Sequence, residues 1–275
     1  MELESTFGTA APLLGMVHLP PLPGAPRAPD DGREAMRAAV DRAASDARAL
    51  DRGGVDGIVI ENFGDAPFYP DEVPPHVVAS VTRAATAVAA ETDLPLGVNV
   101  LRNDAEAALS VAAAVDADFV RVNVHTGARV TDQGIVQGRA HETLRLRERL
   151  GVDVGVFADT DVKHSAPLTP EGYTAESFAD TAERGLADAV IASGSGTGEA
   201  VEAGALESVV AERERHGLDT PVLVGSGVTP ETVADLLSVA DGAIVGTALK
   251  AGGETTAPVD ADRVAALVAA ADEAR

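Results

Sequence analysis

The chain has 275 residues, a length that fits one (β/α)8 barrel with a modest extension and can bury a large core. Its formal net charge of −23, from 44 acidic and 21 basic residues, repels nucleic acid and anionic membranes at ordinary salt, so neither is an expected partner. Cysteine is absent, which excludes disulfides and thiolate metal sites.

There is no apolar run long enough to span a membrane and no signal-peptide pattern at the N-terminus, so the expected location is cytoplasmic, without membrane insertion. Only two lysines occur, Lys163 and Lys250. Acidic excess with almost no lysine reads as a protein of a salt-accumulating halophile, where salt screens the self-repulsion.

In chain order, a polar tail precedes a first strand, Pro12–His18. Leu19–Pro29 is interrupted by prolines and reads as a long loop. A helix follows over Asp31–Gly53. Gly57–Glu61 is the second strand. Asn62–Pro75 is another long loop, whose Phe63 and Phe68 suit a lid, a substrate wall or simple packing on the loop's own helix. His76–Glu91 is the next helix. Leu96–Val100 is the third strand, with a short helix after it capped by Asn103 or Asp104. Phe119–Val124 is the fourth, followed by a polar loop and the helix Ala140–Leu150.

Val154–Ala158 is the fifth strand, Asp159–Pro170 its polar loop and Ala175–Gly185 a helix. Ala189–Ala192 is the sixth, with the loop SGSGTGE and a helix near Ala203–His216. Pro221–Val224 is the seventh. Gly225-Ser226-Gly227 then leads to a helix Glu231–Ala240, with Thr229 as N-cap and Pro230 as its first residue. Gly242–Val245 is the eighth, ending in Gly246-Thr247-Ala248-Leu249-Lys250. Asp260–Ala274 is the last helix.

Eight apolar strands alternating with helices argue a parallel α/β architecture closed as a single (β/α)8 barrel over residues 1–275. A doubly wound sheet would carry a dinucleotide fingerprint after the first strand, and LPPLPG stands there instead.

In such a barrel chemistry belongs at the C-terminal strand ends. The reading places His18, Glu61, Asn62 and Asn99 at the ends of the first three strands. Arg121, Asn123 and His125 lie on one side of the fourth strand by their alternation. Asp159, Asp161, Lys163 and His164 follow the fifth, and Ser193, Ser195 and Thr197 the sixth. Carboxylates with histidine can bind a divalent metal, and Lys163 can act as nucleophile, acid or phosphate partner. The structural alternatives are an Asp161–Lys163 salt bridge within the loop and an Arg121–Glu61 bridge across strands.

Two glycine turns after consecutive strands suit an anion, because glycine lets backbone N–H groups approach and point inward. Gly225, Ser226, Gly227, Gly246, Thr247 and Lys250 are therefore expected to hold a phosphate, in the loops where barrels often bind one. The alternative is that these glycines only make tight turns.

Several segments together resemble the BtpA/SgcQ family of TIM-barrel proteins. They include GMVHLPPLPG, ENFGDAPF, GVNVLRND, RVNVHTG, TDQGIVQGRA, VKH, SGSGTG, GSGVTPE and VGTALK. The resemblance spans nearly the whole chain and implies a barrel. The family takes its name from a protein implicated in photosystem I biogenesis, which implies an assembly factor as one role; a branch among sugar-uptake genes implies a metabolic enzyme. The leading expectation is an enzyme acting on a small phosphorylated metabolite, a sugar or nucleoside phosphate. Lys163, His164, Asp159 and His125 would do the acid–base work, with Glu61 and His18 as further candidates. Asn62, Asn99, Arg121, Asn123, Asp161, Ser193, Ser195 and Thr197 would contact substrate. The competing expectations are a non-catalytic assembly factor and a metal-dependent hydrolase using Asp159, Asp161, His125 and His164. Self-association is common among such barrels, although no stretch identifies an interface.

Overall fold

The computed structural model describes residues 1–160, 162, 164–168, 177–194 and 203–275. A short helix α1 (Leu3–Phe7) comes first. The elements then run β1 (Leu13–His18), α2 (Gly32–Gly53), β2 (Gly57–Glu61), α3 (Pro75–Ala89), β3 (Leu96–Asn99), α4 (Ala105–Ala114) and β4 (Phe119–Val122). β5 (Ala128–Thr131), β6 (Gly134–Gln137), α5 (Ala140–Leu150), β7 (Gly155–Asp159) and β8 (Ser165–Pro167) follow. After them stand α6 (Ser177–Ala179), continued by a π-helical turn Asp180–Arg184, and β9 (Ala189–Ala192). The chain ends with α7 (Ala203–His216), β10 (Val222–Val224), α8 (Val233–Leu237), β11 (Gly242–Val245) and α9 (Ala261–Asp272).

Eight parallel strands close in the order β1-β11-β10-β9-β7-β4-β3-β2. This is the TIM barrel expected from the alternation of elements. Side chains alternate across each strand. Leu13, Val17, Ile58, Ile60, Val98 and Val120 face the helices, whereas Leu14, Met16, Val59, Phe119, Phe157, Ile191, Leu223 and Ile244 fill the interior. No helix among the described residues is long and apolar enough to cross a membrane.

The N-terminal end of the barrel is plugged. The segment expected to be a polar tail contains α1, whose Leu3 and Phe7 join the interior cluster. The Phe7 ring meets Phe119 edge-on at 5.8 Å, and Phe119 stacks on Phe157 at 4.5 Å. Four aspartates then lock the same end. Asp56, Asp118, Asp188 and Asp241 each stand one residue before an even-numbered barrel strand: β2, β4, β9 and β11.

Each donates its own amide to the carbonyl of one residue on or beside the preceding barrel strand, and its carboxylate accepts from that residue's amide. The partners are Leu13, Leu96, Val156 and Val222, at 2.8–2.9 Å throughout. Arg275, Arg147 and Arg213 add ion pairs to Asp56, Asp188 and Asp241. The barrel thus carries a fourfold repeat of paired strands, each pair fastened by one aspartate.

Other differences from the sequence reading are local. The polar loops after β4 and β7 contribute β5, β6 and β8, which form a three-stranded antiparallel sheet. Val136 supplies its reason, burying against Val124 and Val162. The helix expected over Glu231–Ala240 begins only at Val233, because Thr229 to Thr232 form a turn in which the Thr232 hydroxyl accepts from the Thr229 amide at 3.0 Å.

Candidate active site

At the C-terminal strand ends the inward-facing positions change from apolar to polar. Above Met16 comes His18, above Val59 comes Glu61, above Gly97 comes Asn99, and above Phe119 comes Arg121. Asp159 stands above Phe157, Ser193 above Ile191, Gly225 above Leu223 and Gly246 above Ile244. A cavity of about 1090 Å³ opens over this ring, near the upper limit of roughly 1,000 Å³ usual for small-molecule sites.

One side of the ring is a locked network. Arg121 donates from Nε and Nη2 to the two carboxylate oxygens of Asp159, at 3.1 and 2.9 Å. Asn123 Nδ2 donates to Oδ2 at 2.9 Å and Ser193 Oγ to Oδ1 at 3.0 Å. Burial alone would lower the guanidinium pKa, but the Asp159 charge and hydrogen bonds, then the Glu61 charge, outweigh it and the net shift is upward. The bridge expected between Arg121 and Glu61 is therefore made with Asp159, its neighbour across the β4–β7 pairing. Asp159, expected to do acid–base work, thus accepts four hydrogen bonds and faces a fixed cation.

The other side holds a histidine and a carboxylate. His18 Nε2 lies 3.9 Å from Glu61 Oε1, and Nδ1 lies 3.2 Å from the Thr255 carbonyl. A carbonyl only accepts, so this contact favours the proton on Nδ1 and leaves Nε2 as the basic nitrogen facing Glu61. The Phe63 ring sits 4.8 Å from the imidazole. Phe63 and Phe68 both line the cavity.

Two asparagines are buried at this end of the barrel, Asn123 lining the cavity and Asn99 enclosed beside it on β3. Asn99 is fully buried, and among the described residues neither its Nδ2 nor its Oδ1 has a hydrogen-bond partner; Asn123 Oδ1 has none there either. Each orphaned atom costs about 1–3 kcal/mol of folding free energy. Such a cost at adjacent inward positions is a feature of sites that await a ligand or water.

The two glycine turns form one wall. Gly225, Ser226, Gly227, Gly246 and Thr247 all line the cavity. Gly227 has φ +70°, a conformation that favours glycine, and a Cβ on Gly246 would stand 3.0 Å from the His18 ring. The amides of Gly227 and Val228 donate to no acceptor among the described residues. Ser226 Oγ accepts from the Gly194 amide at 2.6 Å, tying the loop after β9 to the loop after β10.

Several expected residues lie elsewhere. Lys250 is a correction: its ammonium is fully buried, donates to the Met16 carbonyl at 2.8 Å and faces Asp46 at 3.4 Å. It is a packing cation beneath the wall, and burial lowers its pKa to about 8, against the charge of Asp46. His125 is another. β4 ends at Val122, so its alternation does not persist, and Nε2 is held 2.8 Å from the Gly185 carbonyl outside the cavity lining. Burial there lowers the imidazole pKa.

Asn62 acts as a clamp, accepting from the Leu101 amide at 2.7 Å and donating to Asp65 at 3.1 Å. Of the four residues expected as a metal set for a hydrolase, Asp159 is bound to Arg121 and His125 faces the Gly185 carbonyl, and no group of three or more His, Asp or Glu side chains that could hold a metal ion occurs among the described residues. His164 lines the cavity. Asp161, Lys163, Ser195 and Thr197 lie outside the described residues.

Sequence reasoning passed over three cavity-lining cations, Arg27, Arg102 and Arg263. Arg263 donates from Nε to the Ala248 carbonyl at 2.8 Å, beside the Gly246–Thr247 turn. A signal was available. Arg263 stands in the first turn of α9, where a cation opposes the helix dipole and so needs another reason to be there.

A closed parallel barrel with a polar ring and a large cavity at its C-terminal face is a TIM-barrel protein with its cavity where such barrels carry their sites. The chain belongs to the BtpA family, which it matches over residues 9–273. It is 44% identical over 274 residues to the "Photosystem I biogenesis protein BtpA" of Synechocystis sp., covering 99% of this chain and 92% of that protein. Among solved structures, a tryptophan synthase chain from Mycobacterium tuberculosis superposes with a TM-score of 0.60 at 19% identity, covering 99% of this chain and 97% of that one. Thiamine phosphate pyrophosphorylase from Pyrococcus furiosus gives 0.57 at 15%, covering 96% of each chain. At these identities the structural likenesses establish the fold alone.

Proposed function

We propose that the protein is an enzyme acting on a small phosphorylated metabolite bound across the C-terminal mouth of the barrel. The observation that carries this reading is that a single cavity joins the two glycine turns to the polar ring. The phosphate end lies against Gly225–Gly227 and Gly246–Thr247, with Arg263 beside them. Backbone N–H groups and a guanidinium supply the donors a phosphate needs, with no desolvated carboxylate in the Gly225–Gly227 and Gly246–Thr247 turns themselves.

The reacting end lies over His18 and Glu61. With its proton on Nδ1, His18 presents Nε2 to a substrate hydroxyl or carbon acid, and Glu61 beside it takes or returns the second proton. This is acid–base chemistry of the isomerase, lyase or glycosidic-cleavage kind. The Arg121–Asp159 network holds the opposite side of the mouth rigid. The name of one structural neighbour, thiamine phosphate pyrophosphorylase, is compatible with a phosphorylated ligand in this fold.

A thermal-shift screen in molar KCl tests the reading, using sugar phosphates, nucleotides and inorganic phosphate with and without Mg2+, Mn2+ or Zn2+. A ligand at ~100 times its dissociation constant adds about 2.7 kcal/mol to the folded state. The expected result is stabilisation by a phosphorylated compound that Gly227→Asp abolishes. Aspartate tolerates the positive φ of that position better than most residues but brings a like charge to the wall.

A second reading, a non-catalytic assembly factor, is favoured by the name of the Synechocystis relative and by one surface feature. Val130, Ile135 and Leu168 are exposed at the three-stranded sheet. That reading expects substitutions at this patch to matter and cavity substitutions to be silent.

A further inference from the structure

His18 leans on a stretch of chain far from it in sequence. The partner of its Nδ1, the Thr255 carbonyl, stands between β11 and α9, and Thr255 Oγ1 also lies 2.8 Å from Thr247 Oγ1. This stretch contains only short helical turns, so its place is set by what it is bonded to.

The side chains that bond it come mainly from α2. Arg42 Nη2 donates to the Thr256 carbonyl at 3.0 Å and to the Ala257 carbonyl, and Asp46 accepts from the Val259 amide at 2.9 Å. Arg42 and Asp46 stand one turn apart on α2, and Arg42 Nε lies 3.0 and 2.9 Å from the two Asp46 carboxylate oxygens. Asp46 also faces the ammonium of Lys250, which donates to the carbonyl of Met16, two residues before His18 on β1. One carboxylate thus reaches both the strand that carries His18 and the stretch that carries its partner.

Asp46 is only 1% exposed, a depth at which acids are kept only when paired. Stability alone is a weak reason for such a cluster, since exchanging a buried ionic group for apolar packing is often neutral or favourable. What the cluster supplies is a fixed place for the Thr255 carbonyl. In water the neutral histidine ring carries its proton mainly on Nε2. An acceptor held at Nδ1 reverses that preference and leaves Nε2 basic on the Glu61 side.

We propose that Arg42 and Asp46 are positioning residues for His18: they hold the Thr255 carbonyl against Nδ1 and so select the tautomer whose Nε2 can take a proton from a ligand. Neither residue lines the cavity. The inference rests on the reading of His18 as an acid–base group and names what prepares it.

The test reads the ring nitrogens by long-range 1H–15N correlation spectra of the unliganded full chain in molar KCl, at a pH where the imidazole is neutral. His18 is assigned by the resonances lost in His18→Gln. Wild type is expected to show the Nδ1–H form. Arg42→Met keeps an aliphatic stem and leaves Asp46 with Lys250 and the Val259 amide. It is expected to lower the ratio of Nδ1–H to Nε2–H by about five-fold or more, the effect of losing one hydrogen bond. Asp46→Asn is expected to shift the ratio the same way, and Arg42→Met decides even where Asp46→Asn fails to fold. Asp188→Ala, which breaks an ion pair at the other end of the barrel, is expected to leave the ratio unchanged.

An Nε2–H form in wild type overturns the proposal. An unchanged ratio in Arg42→Met does so too, because Thr255 is then held without α2. An equal shift in Asp188→Ala also overturns it, because the ratio then follows stability alone. No ligand enters this measurement. A thermal-shift screen without a hit would remove the phosphate reading and leave the tautomer result as it is, whereas a failed tautomer result would leave the phosphate reading standing.

Discussion

The two ends of the barrel treat buried polar groups in opposite ways. At the N-terminal end, every one of the four strand-leading aspartates has its amide and carboxylate bonded to the same partner residue, and α1 seals the interior with Leu3 and Phe7. At the C-terminal end, the Asn99 side chain has no hydrogen-bond partner among the described residues, Asn123 is half satisfied, and Asn123 lines a cavity of about 1090 Å³. A chain able to pair polar groups so completely at one end gains no stability by leaving them unpaired at the other. The difference supports the proposed reading, in which the C-terminal end is shaped for a ligand and the other for folding.

The sharpest way to break the comparison is to break the Arg121–Asp159 network at the open end. Asp159→Ala removes the counter-charge of the buried Arg121 and is expected to cost about 3–5 kcal/mol in denaturant unfolding in molar KCl. A cost near zero would mean that the network is not fully desolvated.

Alkaline pH probes the buried lysine next to that end. The Lys250 pKa is lowered from 10.5 to about 8 in the fold. Between these values the unfolded chain holds the proton and the folded chain does not, so stability should rise as pH increases from about 8 to 10.5. The gain approaches roughly 3 kcal/mol for a shift of that size. Lys250→Met should flatten the rise, because Asp46 keeps Arg42 and the Val259 amide as partners.

At the closed end, Asp188→Ala deletes the acceptor of the Val156 amide and the partner of Arg147. A loss of about 1–3 kcal/mol with unaltered ligand binding is expected, measured by paired melting and titration curves. The smallest effect belongs to Asn99→Leu, whose unliganded stability should not fall.

The architecture was legible because it rests on patterns the chain repeats. Eight apolar runs, each followed by helical spacing, permit few other arrangements, and the glycine turns after the last two strands do line the cavity. His18 and Glu61 were legible as strand-end polar residues and do meet.

What was not legible depended on direction and partner. His125 shares the alternation of Arg121 and Asn123 in the sequence, but β4 ends after Val122 and the side chain leaves the mouth. The rarity of lysine pointed to Lys250 as functional, when its ammonium is held by Met16 and Asp46. Asp159 could not be told from a free acid until Arg121 was placed beside it. The aspartate clasps were visible as Val55-Asp56-Gly57, Ala117-Asp118-Phe119, Ala187-Asp188-Ala189 and Ala240-Asp241-Gly242, although these triplets pass for ordinary turns unless compared with one another.

The most direct measurement is a crystal structure with the phosphorylated compound that stabilises the protein most. The account expects the phosphate within hydrogen-bond distance of the Gly227 and Thr247 amides and the rest of the molecule over His18, Glu61 and Asn123. A phosphate bound away from both glycine turns, or a ligand outside the cavity, would contradict it.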